Sequence, residues 1–232
     1  MKKKTVLSLI FLAIILSMSG CSEILRPLTV SYKQCEGKTQ YTPKTAEEFV
    51  TYSRMHYDKG EYDCAYAAAE EAYRRQKNDA ALIARGYAHF GLKEYANALS
   101  DFRTAIWLGT KDPDAFWGRA LVFTQHKDWD NAIADYTKVI ELSSDNSKFA
   151  KRIPYFLAER GKVFFKKGDY ENSVKDFSKA IELAPEEAIY YDYRAKAYQQ
   201  SGKTNEASAD EAEAAKIRAT RDEKAETAKD LL

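Results

Sequence analysis

The chain has 232 residues, of which 45% are hydrophobic and 31% are charged, a balance typical of a folded, helix-rich protein. Its formal net charge is +1. Removing residues 1–20, which contain Lys2, Lys3 and Lys4 but no acid, leaves 33 basic and 35 acidic side chains. This balance argues against general nucleic-acid binding, which needs a concentrated basic surface. After residue 20, no stretch is apolar for long enough to cross a bilayer.

Residues 1–20 have the pattern of an export signal: a basic start, an apolar run from Val6 to Met18, and small residues at the end. The next residue completes the sequence Met18-Ser19-Gly20-Cys21, which resembles the bacterial lipoprotein box, although Met18 replaces the usual leucine. The resemblance implies cleavage before Cys21 and acylation of that residue, with this covalent lipid as the only attached group. An ordinary cleaved signal with an incidental cysteine is the alternative.

The same resemblance implies where the protein resides. Ser22, rather than an aspartate, follows the cysteine, which favours the outer membrane, facing the periplasm, if the cell is Gram-negative. We therefore expect a protein of the cell envelope that is held at the membrane by its acyl chains, since several chains bind far more firmly than one.

Two further cysteines, Cys35 and Cys64, remain for a disulfide in an oxidising compartment. Cys35 lies in the arm of residues 21–45, and Cys64 opens the second helix of the first repeat described below. Closing a loop of about 30 residues stabilises a fold by about 3.5 kcal/mol in the chain-entropy model. Two free thiols are the alternative.

Small residues recur along the chain at Ala65, Ala98, Ala132, Ser173 and Ala207, with gaps of 33, 34, 41 and 34 residues. A period of 34 with small residues at the closest helix contacts indicates a solenoid of two-helix repeats. The predicted units are 46–78, 79–112, 113–146, 154–187 and 188–221, with an insertion at 147–153 and a C-terminal capping tail at 222–232. Solenoids present long binding surfaces and seldom enclose an active site.

The fourth unit shows the pattern most completely: Leu157 and Gly161 in the first helix, the turn Gly168-Asp169-Tyr170, then Ser173, Phe177 and Ala180 in the second helix, and Pro185. Units with this pattern resemble tetratricopeptide repeats, and the resemblance covers 46–221. It implies an all-α fold, a right-handed superhelical α-solenoid of about five helix-turn-helix units, with the first helices lining a concave groove. The last unit departs from the pattern at Thr204 and Glu211, as expected of a terminal cap.

Helix starts are marked in two ways. Pro113, Pro154 and Pro185 predict starts, because the first turn of a helix tolerates a missing N–H. Thr45 and Glu48 have the spacing of a capping box for the first helix.

A charge pattern repeats with the units. Arginine and aspartate each keep one position in units two to five, at Arg85, Arg119, Arg160 and Arg194 and at Asp101, Asp135, Asp176 and Asp210. The first unit lacks both. This joint presence predicts an Arg–Asp ladder that ties helices together; a row of arginines that contacts an acidic ligand is the alternative.

The tetratricopeptide resemblance also predicts a binding surface for a protein or peptide partner, formed by aromatic and basic side chains of the first helices. These residues are Tyr57, Tyr87, Phe90, Trp117, Tyr155, Lys162, Phe165 and Lys166. Such a surface suits extended or helical peptide segments, although any one of these aromatics could instead belong to the core. The insertion at 147–153 either lengthens a helix pair or contacts a partner or the anionic membrane surface.

No motif for catalysis is present. His56 and His89 fall at equivalent positions of adjacent units, about 8–10 Å apart, which is too far for two ligands of one metal ion. No cysteine pair has zinc spacing, no serine has the context of a nucleophile elbow, and no glycine-rich loop suits a phosphate. We therefore expect neither an enzyme, a metal site nor a small-molecule substrate.

The sequence as a whole predicts a lipid-anchored adaptor of the cell envelope that binds partner proteins through its groove. Two narrower roles stay open: a pilotin-like assembly factor for a secretin or pilus, and a scaffold for cell-wall enzymes. One alternative is a structural lipoprotein that associates with copies of itself. Another is a carrier of small ligands or peptides, with a closed, dry pocket at Trp117 and Phe165.

Overall fold

The computed structural model describes Cys35 and residues 43–229. The predictions for the leader and for Cys21 lie outside the described residues. Eleven helices run through 43–229. They are α1 (Ala46–Asp58), α2 (Tyr62–Arg75), α3 (Asp79–Gly91), α4 (Tyr95–Trp107), α5 (Pro113–Gln125), α6 (Trp129–Ser144), α7 (Ser147–Ala150), α8 (Ile153–Lys167), α9 (Tyr170–Leu183), α10 (Ala188–Gln200) and α11 (Thr204–Lys229).

These helices form the all-α solenoid that the period predicted. The five helix pairs are α1–α2, α3–α4, α5–α6, α8–α9 and α10–α11, and each second helix packs against the first helix of the next unit. The first helices of units one to three also contact one another, α1 with α3 and α3 with α5. Among the described residues, no helix is both long enough and apolar enough to cross a membrane.

Local signals explain most of the helix starts. The Thr45 hydroxyl accepts from the Glu48 amide at 3.2 Å and the Glu48 carboxylate accepts from the Thr45 amide at 3.1 Å, which confirms the capping box. Pro113 is the first residue of α5, and Pro154 is the second residue of α8. The prediction for Pro185 was wrong, because this residue lies in a turn before α10 begins at Ala188. The fixed φ of proline suits a turn as well as a helix start.

Small residues allow close helix contacts in the core. Phe102 is fully buried, and its ring lies against Gly86 of its own unit and Gly118 of the next. A Cβ atom on Gly118 would lie 2.2 Å from Phe102 Cζ, and one on Gly86 would lie 2.8 Å from Phe102 Cε1. One aromatic ring therefore fills the space left by missing side chains on two successive first helices.

The insertion is folded into the core. Its short helix α7 carries Phe149, which is 2% exposed and packs with Val139 of α6 and Phe156 of α8. The insertion therefore completes the packing between units three and four. This contact agrees with the structural alternative from the sequence, although the same segment also supplies Arg152 to the inner surface, as described below.

The last helix is one continuous element. α11 runs from Thr204 to Lys229, so the predicted boundary between unit five and a tail at residue 222 is not a break in the backbone. From Thr204 to Glu223, its buried side chains are Ala207, Asp210 and Ala214. From Ala215 to Glu223 every side chain except the partly buried Ile217 is exposed, as suits the end of a solenoid.

The Arg–Asp ladder is confirmed in all four units. Each arginine donates from Nε and Nη2 to the two oxygens of its aspartate, at 2.7–2.9 Å. The pairs join the two helices of one unit: Arg85–Asp101, Arg119–Asp135, Arg160–Asp176 and Arg194–Asp210. The aspartates are buried and the arginines only slightly exposed. The bidentate pairs therefore stabilise the packing of the helices, and the arginines do not form a row that contacts an acidic ligand.

Three of these arginines also bond to the preceding unit through Nη1. Arg85 donates to Glu70 at 2.7 Å, Arg160 to Thr137 at 2.9 Å and Arg194 to Ser178 at 3.0 Å. These three acceptors occupy one equivalent position of the repeat. At unit two that position holds Arg103, and among the described residues Arg119 hydrogen-bonds to Asp135 alone.

Cys35 and Cys64 form a disulfide, with their Cα atoms 5.8 Å apart. The carbonyl of Cys35 also accepts from the Tyr52 hydroxyl of α1 at 3.3 Å. The bridge therefore fixes Cys35 against both helices of the first unit.

Candidate functional site

The candidate site is the inner surface of the solenoid, formed by the first helices α1, α3, α5, α8 and α10. Four of the predicted residues form one continuous aromatic row along it. The ring centroids are 5.7 Å apart between Tyr57 and Tyr87, 5.9 Å between Tyr87 and Trp117, and 6.0 Å between Trp117 and Tyr155. These tilted and edge-to-face contacts connect units one to four.

The middle of this row is covered by the protein itself. The Tyr87 hydroxyl donates to the Asp114 carbonyl at 2.8 Å, and burial raises the pKa of Tyr87 well above its ordinary value. The Arg152 guanidinium lies 4.6 Å from the Trp117 ring centroid. Tyr87 and Trp117 therefore act mainly as packing residues.

A charged cluster lies over the same region. Asp114 of unit three faces Arg54 of unit one at 3.4 Å and Arg152 of the insertion at 3.8 Å. Burial raises the pKa of the Asp114 carboxyl, as does the neighbouring Asp112, and the two arginines oppose that rise. This cluster joins residues that are 60 and 38 positions apart in the sequence, and it closes the N-terminal half of the inner surface.

Phe90 and Phe165 lie outside the aromatic row. Each packs against the aromatic residue that opens the second helix of its own unit: Phe90 on Tyr95 with ring centroids 5.6 Å apart, and Phe165 on Tyr170 at 5.4 Å. Both phenylalanines are partly buried. They stabilise the turn within each unit, so their predicted role in partner binding is secondary to packing.

The C-terminal half of the inner surface is open. Tyr155 is 40% exposed and Ile189 is 48% exposed. Lys166 is exposed, with its Nζ 5.9 Å from the Trp129 ring centroid, and the Nζ of the exposed Lys196 lies 5.1 Å from the Tyr193 ring centroid. Neither of these two lysines forms an ion pair with a described residue. We call Tyr155, Lys166, Ile189 and Lys196 the open face.

Lys162 differs from these two lysines. It pairs with Glu159 on the same helix, and its Nζ lies 5.5 Å from the Tyr193 ring centroid. Its charge is therefore partly compensated within the protein. Lys196, 34 positions further on, occupies the equivalent position of unit five, and Ile189 is likewise equivalent to Tyr155. The sequence analysis missed Lys196 and Ile189, which the repeat register could have supplied.

The histidines are structural. His56 and His89 are buried, and the Nδ1 atom of each lies beside a glutamate of the following turn, 2.5 Å from Glu61 and 2.6 Å from Glu94. Within Cys35 and 43–229, no group of three or more metal-ligating side chains converges.

Comparisons with known proteins agree with this architecture. Residues 114–146 match a family model described as tetratricopeptide repeat, and residues 161–202 match a second model described as TPR repeat. No curated protein matches the sequence.

Among solved structures, the solenoid is similar to MamA. One MamA crystal structure is 17% identical, covers 74% of this chain and 96% of its own, and superposes with a TM-score of 0.64. MamA 41-end from Desulfovibrio magneticus RS-1 is also 17% identical, covers 78% of this chain and 99% of its own, and gives a TM-score of 0.66. At this identity the similarity concerns the fold alone. The chain therefore contains tetratricopeptide repeats and folds as a TPR solenoid.

Proposed function

We propose that this protein is a lipid-anchored adaptor of the cell envelope that binds a partner protein through the open face. The observation that carries the binding role is the contrast within the inner surface. Around units one to three, Arg54, Asp114 and Arg152 of the insertion form a charged cluster over the aromatic row, whereas units four and five leave apolar and cationic groups exposed. Because neither Lys166 nor Lys196 pairs with an acidic side chain among the described residues, the open face suits a segment that combines acidic and apolar residues.

The anchoring role is supported by the sequence Met18-Ser19-Gly20-Cys21 and by the disulfide. A bridge between Cys35 and Cys64 uses the two other cysteines of the chain, which leaves Cys21 without an intramolecular partner. It also suits an oxidising compartment such as the periplasm. Acyl chains on Cys21 would then hold the solenoid, and any bound partner, close to one membrane.

The experiment is a crosslinking pulldown from intact envelopes with the wild type and an Ile189→Ser/Lys196→Glu double variant. Ile189 is 48% exposed and Lys196 is exposed, so these changes leave the core intact. A Leu183→Ser variant is the control, because Leu183 is 50% exposed at the end of a second helix, away from the inner surface. We expect a partner that the wild type and the control recover and the double variant loses.

Two other outcomes overturn parts of the proposal. Partners that all three proteins recover equally place the binding site elsewhere, and recovery of the protein alone favours the self-associating structural lipoprotein. Anchoring is tested separately by metabolic labelling with a fatty acid, which we expect for the wild type but not for Cys21→Ser.

A further inference from the structure

A second surface stands out at the end of α4. Trp107 is 83% exposed, more than any other large apolar side chain in the described part of the chain, and the adjacent Leu108 is 51% exposed. Trp107 is not needed for the stack, because its position holds Arg74, Glu141, Glu182 or Lys216 in the other units.

Three cationic residues lie near this apolar pair in the sequence or in the equivalent connection of the preceding unit. Arg103 lies one helical turn before Trp107, and Lys111 follows in the connection to α5. Lys77 lies in the corresponding connection between α2 and α3. All three are exposed, and none forms an ion pair with a described residue. We call Lys77, Arg103, Trp107, Leu108 and Lys111 the basic rim.

The equivalent ends of the later units are different. Glu141 of unit three pairs with Lys138 at 3.1 Å, and Glu182 of unit four pairs with Lys179 at 2.7 Å. Their charges are therefore compensated locally. Unit two differs from units three and four because it has an exposed tryptophan and cations that form no ion pair with a described residue.

Arg103 shows that this charge is not a requirement of the fold. Its position supplies the inter-unit acceptor in three other units, as Glu70, Thr137 and Ser178. An arginine cannot accept a hydrogen bond from Arg119. One inter-unit hydrogen bond is therefore missing at unit two, where the acceptor position holds a cation four residues before Trp107.

The chain enters the solenoid at the same edge. The Lys44 carbonyl accepts from Arg75 Nη1 at 2.7 Å, at the end of α2. The ends of α2 and α4 lie at the same edge because successive units stack in the same orientation. The residues that lead directly into α1 therefore lie on the side of the basic rim, whereas Cys35 is bridged to Cys64 near the start of α2.

We infer that the basic rim rests on an anionic lipid surface, with Trp107 and Leu108 in the headgroup region. This inference depends on the proposed lipid anchor. Tryptophan prefers the membrane–water interface, and lysine and arginine side chains are attracted electrostatically to an anionic bilayer. The rim presents exposed apolar side chains among cations that form no ion pair with a described residue, and this combination matches an anionic lipid surface.

The experiment uses the mature lipoprotein in vesicles that contain phosphatidylglycerol and brominated acyl chains, which quench tryptophan fluorescence on contact. We expect clear quenching for the wild type, and loss of more than half of it for Trp107→Phe. Trp129→Phe is the matched control, since Trp129 is partly buried in the solenoid and should leave the quenching almost unchanged.

Charge is tested by Arg103→Glu, which we expect to reduce the quenching, and by vesicles of neutral lipid, which should reduce it for the wild type. Leu108→Ser should also reduce it, whereas Leu183→Ser at the equivalent position of unit four should not. The inference is overturned if Trp107→Phe leaves the quenching unchanged. It is also overturned if the protein is bound to the vesicles but its fluorescence is not quenched.

An additional measurement separates the proposed lipid anchor at Cys21 from the inferred contact between the basic rim and lipid. If mass spectrometry finds Cys21 without acyl chains, the proposed anchor is wrong. The Cys21 thiol can then be coupled to a maleimide lipid, since Cys35 and Cys64 are paired, and the same quenching is measured. Crosslinking of Trp107 variants to an envelope protein, without quenching by lipid, would instead assign the basic rim to a protein partner.

Discussion

Arg160 binds Asp176 through two parallel hydrogen bonds, from Nε to Oδ2 at 2.8 Å and from Nη2 to Oδ1 at 2.7 Å. Both side chains are mostly buried, so removal of the carboxylate leaves a guanidinium with too few acceptors. We expect Asp176→Ala to lower the free energy of unfolding by about 2 kcal/mol, measured by urea denaturation. The control is Lys179→Ala, which breaks an exposed pair and should cost less than about 0.5 kcal/mol. Equal losses would mean that the ladder contributes little.

A substitution at the interface between units two and three should increase the stability of the protein. Arg103→Glu places a carboxylate at the position equivalent to Glu70, which accepts a hydrogen bond from Arg85 at the interface between units one and two. We expect the new bond to Arg119 to raise the free energy of unfolding by about 0.5–1 kcal/mol. Arg103→Ala removes the cation without supplying an acceptor. A gain of the same size for both variants would show that relief of repulsion, rather than a new bond, is responsible.

Gly118 should tolerate no larger residue. A Cβ atom there would lie 2.2 Å from Phe102 Cζ, and this ring is itself held against Gly86. We expect Gly118→Ala to lower the free energy of unfolding by about 1–3 kcal/mol through overpacking, despite the higher helix propensity of alanine. Ser100→Ala, at an exposed position of α4, should be nearly neutral by thermal or urea denaturation. A neutral Gly118→Ala would show that Phe102 can move.

Alkaline pH should weaken the first unit. Burial, together with Tyr62 and Asp58, raises the pKa of Tyr57 to about 12, above its value of about 10 in an unfolded chain. The favourable contribution of neutral Tyr57 is complete below pH 10 and is lost as the pH rises to about 12. Ultraviolet titration of tyrosinate should therefore show one group fewer ionising near pH 12 in Tyr57→Phe. If that group titrates near pH 10, Tyr57 is freely solvated.

The repeat period was sufficient to predict the helix pairs, because each depends on contacts a few residues apart. The ladder was predictable for the same reason, since every Arg–Asp pair keeps a separation of 16 residues. Pro185 was less informative, because proline suits both a turn and a helix start.

The state of the inner surface was harder to predict. The sequence could place the four residues of the aromatic row on first helices but not in one row, because they occupy four different positions of the repeat. The cover over Trp117 depends on Arg54, Asp114 and Arg152, which belong to three different segments. Their meeting depends on the curvature of the stack, which no local pattern encodes. The burial of Phe149 depends likewise on the width of the space between α6 and α8. The exposure of Trp107 was overlooked, because its signal is a large apolar residue at a position that is charged in every other unit.

The disulfide has a further consequence for a protein held at Cys21. With Cys35 fixed to the first unit, 14 residues of sequence separate Cys21 from the first fixed point of the chain, whereas without the bridge 22 residues would separate it from Pro43. For a protein anchored at Cys21, as proposed, the local concentration of the tethered domain falls roughly as the −3/2 power of tether length, so opening the bridge would about halve the effective concentration of the open face near the membrane. The redox state of one cystine would then change how often the open face meets a membrane-bound partner, without altering a contact on that face.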